Sequence, residues 1–76
     1  MKYSARQRAV AAALRKAREA AGLSQRQLSE RLQQPPNWIQ RIESLERRVD
    51  VAEFIVIAKA VGADAAGLFR DVLESR

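Results

Sequence analysis

The residues of this sequence best suited to specific chemistry are two amides and an arginine near its middle. Asn37, Gln40 and Arg41 lie three and four residues apart, so they share one face if the segment is helical. Asparagine and glutamine can each form two hydrogen bonds with the edge of adenine, and arginine can do the same with guanine. A polar helix face is normally only solvated. The three positions therefore leave base recognition and plain solvation both open.

Histidine and cysteine do not occur in the sequence. Their absence removes the usual general base and the commonest metal ligands, and it rules out a disulfide framework. The acidic residues are scattered, and no glycine-rich loop is present to bind a phosphate. We therefore expect neither an enzyme nor a metal or cofactor site.

A capping box predicts the start of a short helix before these polar residues. Ser24 and Gln27 have the spacing at which each side chain bonds the other residue's backbone N–H, so a helix should begin at Gln25. Leu28 and Leu32 lie four residues apart and predict a single buried stripe on this helix.

Two consecutive prolines, Pro35 and Pro36, should end this helix because proline cannot donate the backbone hydrogen bond that continuation needs. Pro36 suits the first position of a second helix, whose inner side would carry Ile39 and Ile42. The two short helices and their turn predict a helix-turn-helix over about residues 24–44.

Capping signals predict three further helices. Ser4, Asp50 and Asp64 each precede a segment with helical spacing of apolar residues. Gly22 and Gly62 are placed to end the first and fourth helices in the left-handed conformation. No repeat, low-complexity tract or linker interrupts the chain, so we expect one domain over residues 1–76.

Positive charge is concentrated in one part of the chain. Residues 1–48 carry 11 Lys and Arg against 4 acidic residues, a balance of +7, whereas residues 49–76 carry 3 against 5, a balance of −2. Such segregation favours a polyanion bound by the basic part. The competing interpretation is the solvated surface of an arginine-rich protein.

The sequence shows no membrane or export signal. MKYSARQRAV lacks the apolar core of a signal peptide, and no segment approaches the roughly 20 apolar residues that cross a bilayer. We expect a cytoplasmic protein.

The stretch LRKAREAAGLSQRQLSERL is followed by WIQRIE, a basic loop and FIVIAKAVG. Over residues 9–73 these segments resemble the helix-turn-helix domain of the Cro and lambda-repressor (Xre) family. The ordered spacing of the GLSQ entry, the final IE of WIQRIE and the later A-K-A-x-G carries the resemblance. The chain differs at Gln33, where the turn usually has glycine, at Gln34, where a small apolar residue is usual, and at Ser44-Leu45, where Asn-Gly is usual.

The resemblance implies an all-α fold, a compact bundle of five helices that contains the helix-turn-helix. It implies a sequence-specific regulator of transcription that binds double-stranded DNA as a dimeric repressor or controller protein, at an inverted-repeat operator. The alternative is an antitoxin or adaptor whose main partner is another protein.

Roles at the DNA follow from the same resemblance. The base-reading positions would be Asn37, Gln40 and Arg41. The side chains expected at the DNA backbone are Gln25, Arg26, Trp38, Arg47 and Arg48. For Trp38, packing of the ring over the turn is the favoured interpretation, and a contact between its indole N–H and a phosphate is the alternative. For Gln25, the competing interpretation is ordinary solvation. The family also implies an ion pair between Arg18 and Glu43 that ties the first helix to the third.

The last helix, over about residues 65–74, has more apolar residues than a short surface helix needs. We expect it to form a homodimer interface, with one residue of the preceding helix alongside. The expected interface residues are Val56, Leu68, Phe69, Val72 and Leu73. The alternative is that this helix is buried against its own domain.

Overall fold

Five helices account for the regular structure of residues 4–75, the part of the chain that the computed structural model describes. They are α1 (Ala5–Ala20), α2 (Gln25–Arg31), α3 (Trp38–Glu43), α4 (Val51–Ala60) and α5 (Ala65–Glu74). The predicted all-α class is confirmed. Within the described range, no helix is long and apolar enough to cross a membrane.

The helices begin where the sequence supplies a side-chain acceptor. Complete capping boxes open α1, α2 and α4, so a serine or aspartate accepts a backbone N–H while a glutamine or glutamate three residues later accepts one in return. At α5, the carboxylate of Asp64 accepts the N–H of Gly67. These starts agree with the predictions from Ser4, Ser24, Asp50 and Asp64.

Helix α3 begins two residues later than predicted. Pro36 does not occupy its first position, because the chain first makes a turn in which the Trp38 N–H donates to the Pro35 carbonyl at 2.9 Å. Pro36 and Asn37 are the central residues of that turn, where proline at the first central position is favoured. Asn37 becomes the residue that precedes the helix, and its side chain forms no capping hydrogen bond.

The inner faces of all five helices meet in one apolar core. Leu28, Ile39, Ile42 and Ile57 are each at most 2% exposed. Burying one such side chain stabilises the fold by about 1.5–3 kcal/mol. The remaining buried members of the cluster are Leu14, Trp38, Phe54 and Val72. Because α1 contacts α3, α4 and α5, the position of α3 depends on the whole bundle.

The first four helices end in the same way. In each, the residue after the C-cap has a left-handed backbone, and its N–H donates to a carbonyl in the last turn of the helix. The N–H of the following residue donates to the carbonyl one position earlier in that turn. After α1 and α4 this residue is the predicted glycine, Gly22 or Gly62, with φ of +73°. After α2 and α3 it is Gln33 or Leu45, with φ of +57° and +67°. A left-handed residue other than glycine costs about 1–2 kcal/mol.

We predict that Gln33→Gly stabilises the fold by about 0.5–1 kcal/mol, because glycine relieves the left-handed strain but loses more entropy on folding. Thermal or urea unfolding measures the change. Gln34→Gly is the matched control. Its backbone is not left-handed, so that variant should lose stability. Equal losses in both variants would contradict the strain at Gln33.

Candidate nucleic-acid interface

Helix α3 separates an apolar inner face from a polar outer one. Trp38, Ile39 and Ile42 are buried, whereas Asn37 and Arg41 are exposed and Gln40 is half-buried. The structure therefore brings the three proposed base-reading side chains together around one short helix. Their amide and guanidinium groups have the chemistry of base-edge recognition.

A buried serine replaces the missing side-chain cap of α3. Ser29, which is fully buried, accepts the Ile39 N–H with its hydroxyl oxygen at 3.0 Å and donates to the Gln25 carbonyl at 2.9 Å. Its small side chain also lets α2 and α3 approach each other. Because Ser29 satisfies an N–H in the first turn of α3, the Asn37 side chain is not needed for that purpose.

Arg18 and Glu43 join α1 to the last residue of α3. The Arg18 Nε lies 2.7 Å from Glu43 Oε2, and its Nη2 lies 3.1 Å from Oε1. Both side chains are at most 10% exposed. The Arg18 Nη1 also donates to the Leu23 carbonyl at 2.7 Å. The hydrogen bonds with Glu43 raise the pKa of Arg18 above its ordinary value, although burial opposes the rise.

Gln25 belongs to the same network. Its Nε2 donates to Glu43 Oε1 at 2.8 Å, and the residue is half-buried. One N–H of the side chain expected at a phosphate is therefore already occupied within the protein. Arg26, by contrast, extends from α2 with its side chain 71% exposed, and its contact with Glu30 is long, at 3.5 Å.

Trp38 and Arg47 contact each other within the fold. Trp38 is only 9% exposed, and the Arg47 guanidinium lies 5.0 Å from the ring centroid. Arg47 also forms two hydrogen bonds with Glu53, at 3.1 and 2.7 Å. The burial of Trp38 agrees with the packing interpretation, and a contact between its ring and the DNA backbone stays a prediction.

The partner of Arg47 was missed at the sequence level. Glu53 was visible only as the capping residue of α4, where it accepts the Asp50 N–H, and the same carboxylate also binds Arg47. Hydrogen bonding by Arg47 lowers the pKa of Glu53. Arg47 further donates to the carbonyl of Arg48, whose side chain is exposed in the same loop.

Glu46, an acidic residue in the loop between α3 and α4, was also missed. The Glu46 carboxylate lies beside the outer face of α3, with Oε2 2.7 Å from the Ser44 hydroxyl and 3.3 Å from the Gln40 Nε2. No sequence pattern marked it, because the contact depends on how the chain turns after α3. Within residues 4–75, no cluster of three or more acidic side chains forms a metal site.

The proposed dimer residues fall into two groups. Val72 is 5% exposed and belongs to the buried core, so its assignment to an intermolecular surface was wrong. Leu68 is half-buried and packs against the same core. Val56, Phe69 and Leu73 are 53%, 50% and 55% exposed.

Helices α4 and α5 leave an apolar groove between them, which we call the α4–α5 groove. Its lining residues are Val51, Phe54, Ile55, Ala65, Ala66 and Phe69. Val51 and Ile55 were not among the predicted interface residues, although they are 72% and 40% exposed. Their spacing of four residues was the available signal.

Known proteins share this arrangement. A family model described as a helix-turn-helix domain matches residues 9–68. An Xre-family-like protein from Pseudomonas syringae pv. tomato str. DC3000 is 36% identical and superposes with a TM-score of 0.84, covering 91% of this chain and 84% of that one. The clp gene regulator ClgR from C. glutamicum gives a TM-score of 0.81 over 93% and 92% of the two chains at 24% identity, a likeness of fold alone. No curated protein sequence matches.

The fold and the geometry of α2 and α3 define a helix-turn-helix domain. The chain belongs to the Xre-like helix-turn-helix family, whose members are DNA-binding regulators of transcription.

We predict that Glu43→Ala lowers the free energy of unfolding by about 3 kcal/mol, because it leaves Arg18 buried and unpaired. Glu30→Ala, which removes only an exposed contact, should cost less than about 0.5 kcal/mol. Melting temperatures of the two variants compare these effects. Equal decreases in melting temperature would show that the buried Arg18–Glu43 pair stabilises the fold no more than the exposed Arg26–Glu30 contact does.

Proposed function

We propose that this protein is a cytoplasmic, sequence-specific regulator that binds double-stranded DNA as a homodimer and represses or controls transcription at an inverted repeat. The observation that carries the proposal is the outer face of α3, where Asn37, Gln40 and Arg41 lie together above a buried inner face. In a helix-turn-helix, the second helix enters the major groove with its N-terminal residues toward the bases.

Asn37 has the strongest argument as a base reader. It stands at the N-terminal end of α3, the end that approaches base edges in this class of motif. An asparagine at this position would ordinarily cap the helix with its side chain, but here the Ser29 hydroxyl accepts the Ile39 N–H instead. The Asn37 amide is therefore available for a bidentate contact with adenine. Arg41, one turn further along and exposed, supplies the matching chemistry for guanine.

Backbone contacts in this proposal come chiefly from exposed arginines at either end of the motif. Arg26 lies on α2 and Arg48 lies in the loop after α3. Arg47 contributes less, because Glu53 already neutralises its charge. The half-buried Gln25 retains only part of its hydrogen-bonding capacity for a phosphate. Such contacts position a protein on DNA without reading its sequence.

We predict different consequences for Arg41→Ala and Arg26→Ala. In selection from random duplexes at about 0.15 M salt, Arg41→Ala should change the preferred bases. Arg26→Ala should weaken binding to all duplexes alike and reduce the slope of log K against log salt by about 0.9, the share of one phosphate. Arg47→Ala is unsuitable here because it also breaks the pair with Glu53.

Enrichment of an inverted repeat by the unaltered protein would support both sequence reading and two-fold binding. An unchanged preference in Arg41→Ala, with an altered one in Arg26→Ala, would contradict the assigned roles. If no sequence is enriched at all, the proposed function fails.

The α4–α5 groove supports the homodimer. Its lining is apolar, and three large side chains in it, Val51, Ile55 and Phe69, are substantially exposed. Exposed apolar surface of this kind marks interaction sites. One copy measures 30 × 29 × 20 Å, so two copies side by side could bring their α3 helices near the roughly 34 Å spacing of successive major grooves. Phe69 and Leu73 remain the proposed contributors of α5 to the dimer interface. Val56 lies outside the α4–α5 groove, in a shallow pocket that Trp38 also lines.

We predict that Val51→Glu converts the dimer to a folded monomer. A carboxylate at the first position of α4 suits the helix dipole, so folding is preserved while a charge enters the groove. Sedimentation velocity measures the change. Ala12→Glu places the same charge on an exposed site of α1 and should leave the dimer intact. Dissociation by Ala12→Glu alone would move the interface to α1.

A different protein as the occupant of this groove is the second candidate function, that of an antitoxin or adaptor. The same exposed apolar lining favours it. Three results together would favour this second function over the first. The wild-type protein would stay monomeric and enrich no duplex, and it would co-purify in a stoichiometric complex that Val51→Glu disrupts.

A further inference from the structure

Glu46 is an acidic side chain among groups expected to face a polyanion. It follows α3, and it is exposed beside Gln40 and Arg41. A carboxylate near phosphates and near the negative end of a helix dipole is unfavourable on both counts. Its placement therefore calls for a specific reason.

The position of Glu46 is fixed by the chain and by its neighbours. The turn that ends α3 binds the Glu46 N–H to the Arg41 carbonyl at 2.9 Å. The Ser44 hydroxyl then holds Oε2 at 2.7 Å. Hydrogen bonds from Ser44 and Gln40 lower the pKa of Glu46, so it is ionised at neutral pH.

An ionised carboxylate determines which way a neighbouring amide points. It only accepts hydrogen bonds, so the Gln40 amide must turn its Nε2 toward Glu46, at 3.3 Å. The Gln40 carbonyl oxygen is thereby turned away. Without this contact the amide could rotate by half a turn at little cost, because its two ends have nearly the same shape.

Amide orientation matters for reading a base. A glutamine that grips adenine must offer its oxygen to the N6 amino group and an N–H to N7. An amide held in one orientation meets this requirement before binding, whereas a rotating amide also suits other base edges. The contact with Glu46 leaves the second N–H of Gln40 and its oxygen for the base.

We propose that Glu46 is a positioning residue that orients the Gln40 amide and so sets the preference at the base pair Gln40 reads, without itself contacting DNA. The inference rests on the proposed DNA-binding function. Glu46 would then contribute to sequence preference, which would explain why a carboxylate stands where phosphates are expected.

The test is a double-mutant cycle scored on base preference. Glu46→Ala, Gln40→Ala and the double variant are each put through duplex selection. Glu46→Ala should reduce discrimination at a single base pair by about three- to tenfold, the value of one exposed hydrogen bond. In the Gln40→Ala background the same change should have no further effect at that base pair. Ser44→Ala, which removes the 2.7 Å anchor, should relax the same preference more weakly.

A charge control separates positioning from general electrostatics. Glu19→Ala also removes one exposed acidic side chain, on α1, so it raises the net charge equally. Both variants should bind all duplexes somewhat more tightly, but only Glu46→Ala should change a base preference. A change caused by Glu46→Ala at a base pair that Gln40→Ala does not affect would overturn the proposal in favour of direct reading by Glu46.

A measurement without DNA distinguishes the two possible failures. In NMR spectra, the Gln40 side-chain amide resonances should titrate together with Glu46 and lose that titration in Glu46→Ala. An amide that does not titrate overturns the positioning contact. If the amide titrates but the wild-type protein enriches no duplex, the proposed function is the part that fails, and the selective role of Glu46 fails with it.

Discussion

The carboxylate of Glu43 accepts hydrogen bonds from two other helices at once. Two come from Arg18 on α1 and one comes from Gln25 on α2, all at 3.1 Å or less. Removing such a charge from water is costly, and only complete pairing offsets the loss. Among residues 4–75, no buried side-chain nitrogen or oxygen lacks a hydrogen-bond partner, so the network is complete. Glu43 thus fixes the end of α3, a helix of six residues too short to hold its own position.

The beginning of α3 is fixed by a different device. The Ser29 hydroxyl bridges α2 and the first turn of α3, so both ends of the helix are bonded to α2. Because both ends of α3 are bonded in this way, no side chain on its outer face is needed to hold the helix in position. The left-handed residues Gln33 and Leu45 bracket the same helix, and their strain is tolerated because backbone hydrogen bonds on both sides require that conformation.

Local rules explain which features were predictable from the sequence. Capping boxes and terminal glycines involve residues three or four positions apart, so Ser4, Ser24 and Gly62 marked their helix ends correctly. The start of α3 was misplaced because Pro36 suits a turn as well as a first helical position. Contacts between distant residues were less accessible. The pairing of Arg47 with Glu53 depends on the path of the α3–α4 loop, and the burial of Val72 depends on the rotation of α5 about its axis.

Ion pairing within the protein limits how much of the positive charge of residues 1–48 is available to DNA. Arg18 and Arg47 are each neutralised by a glutamate within 2.7 Å, so neither contributes a full charge to counterion release. The six-residue α3 carries only two of the proposed base readers, with Asn37 just before it, so few base contacts are expected from one copy. A single copy should therefore bind duplex DNA weakly. Joining two copies makes the second binding event intramolecular, and that gain in effective concentration requires no new contact with DNA. The exposed groove between α4 and α5 is consequently as important to the proposed function as the polar face of α3.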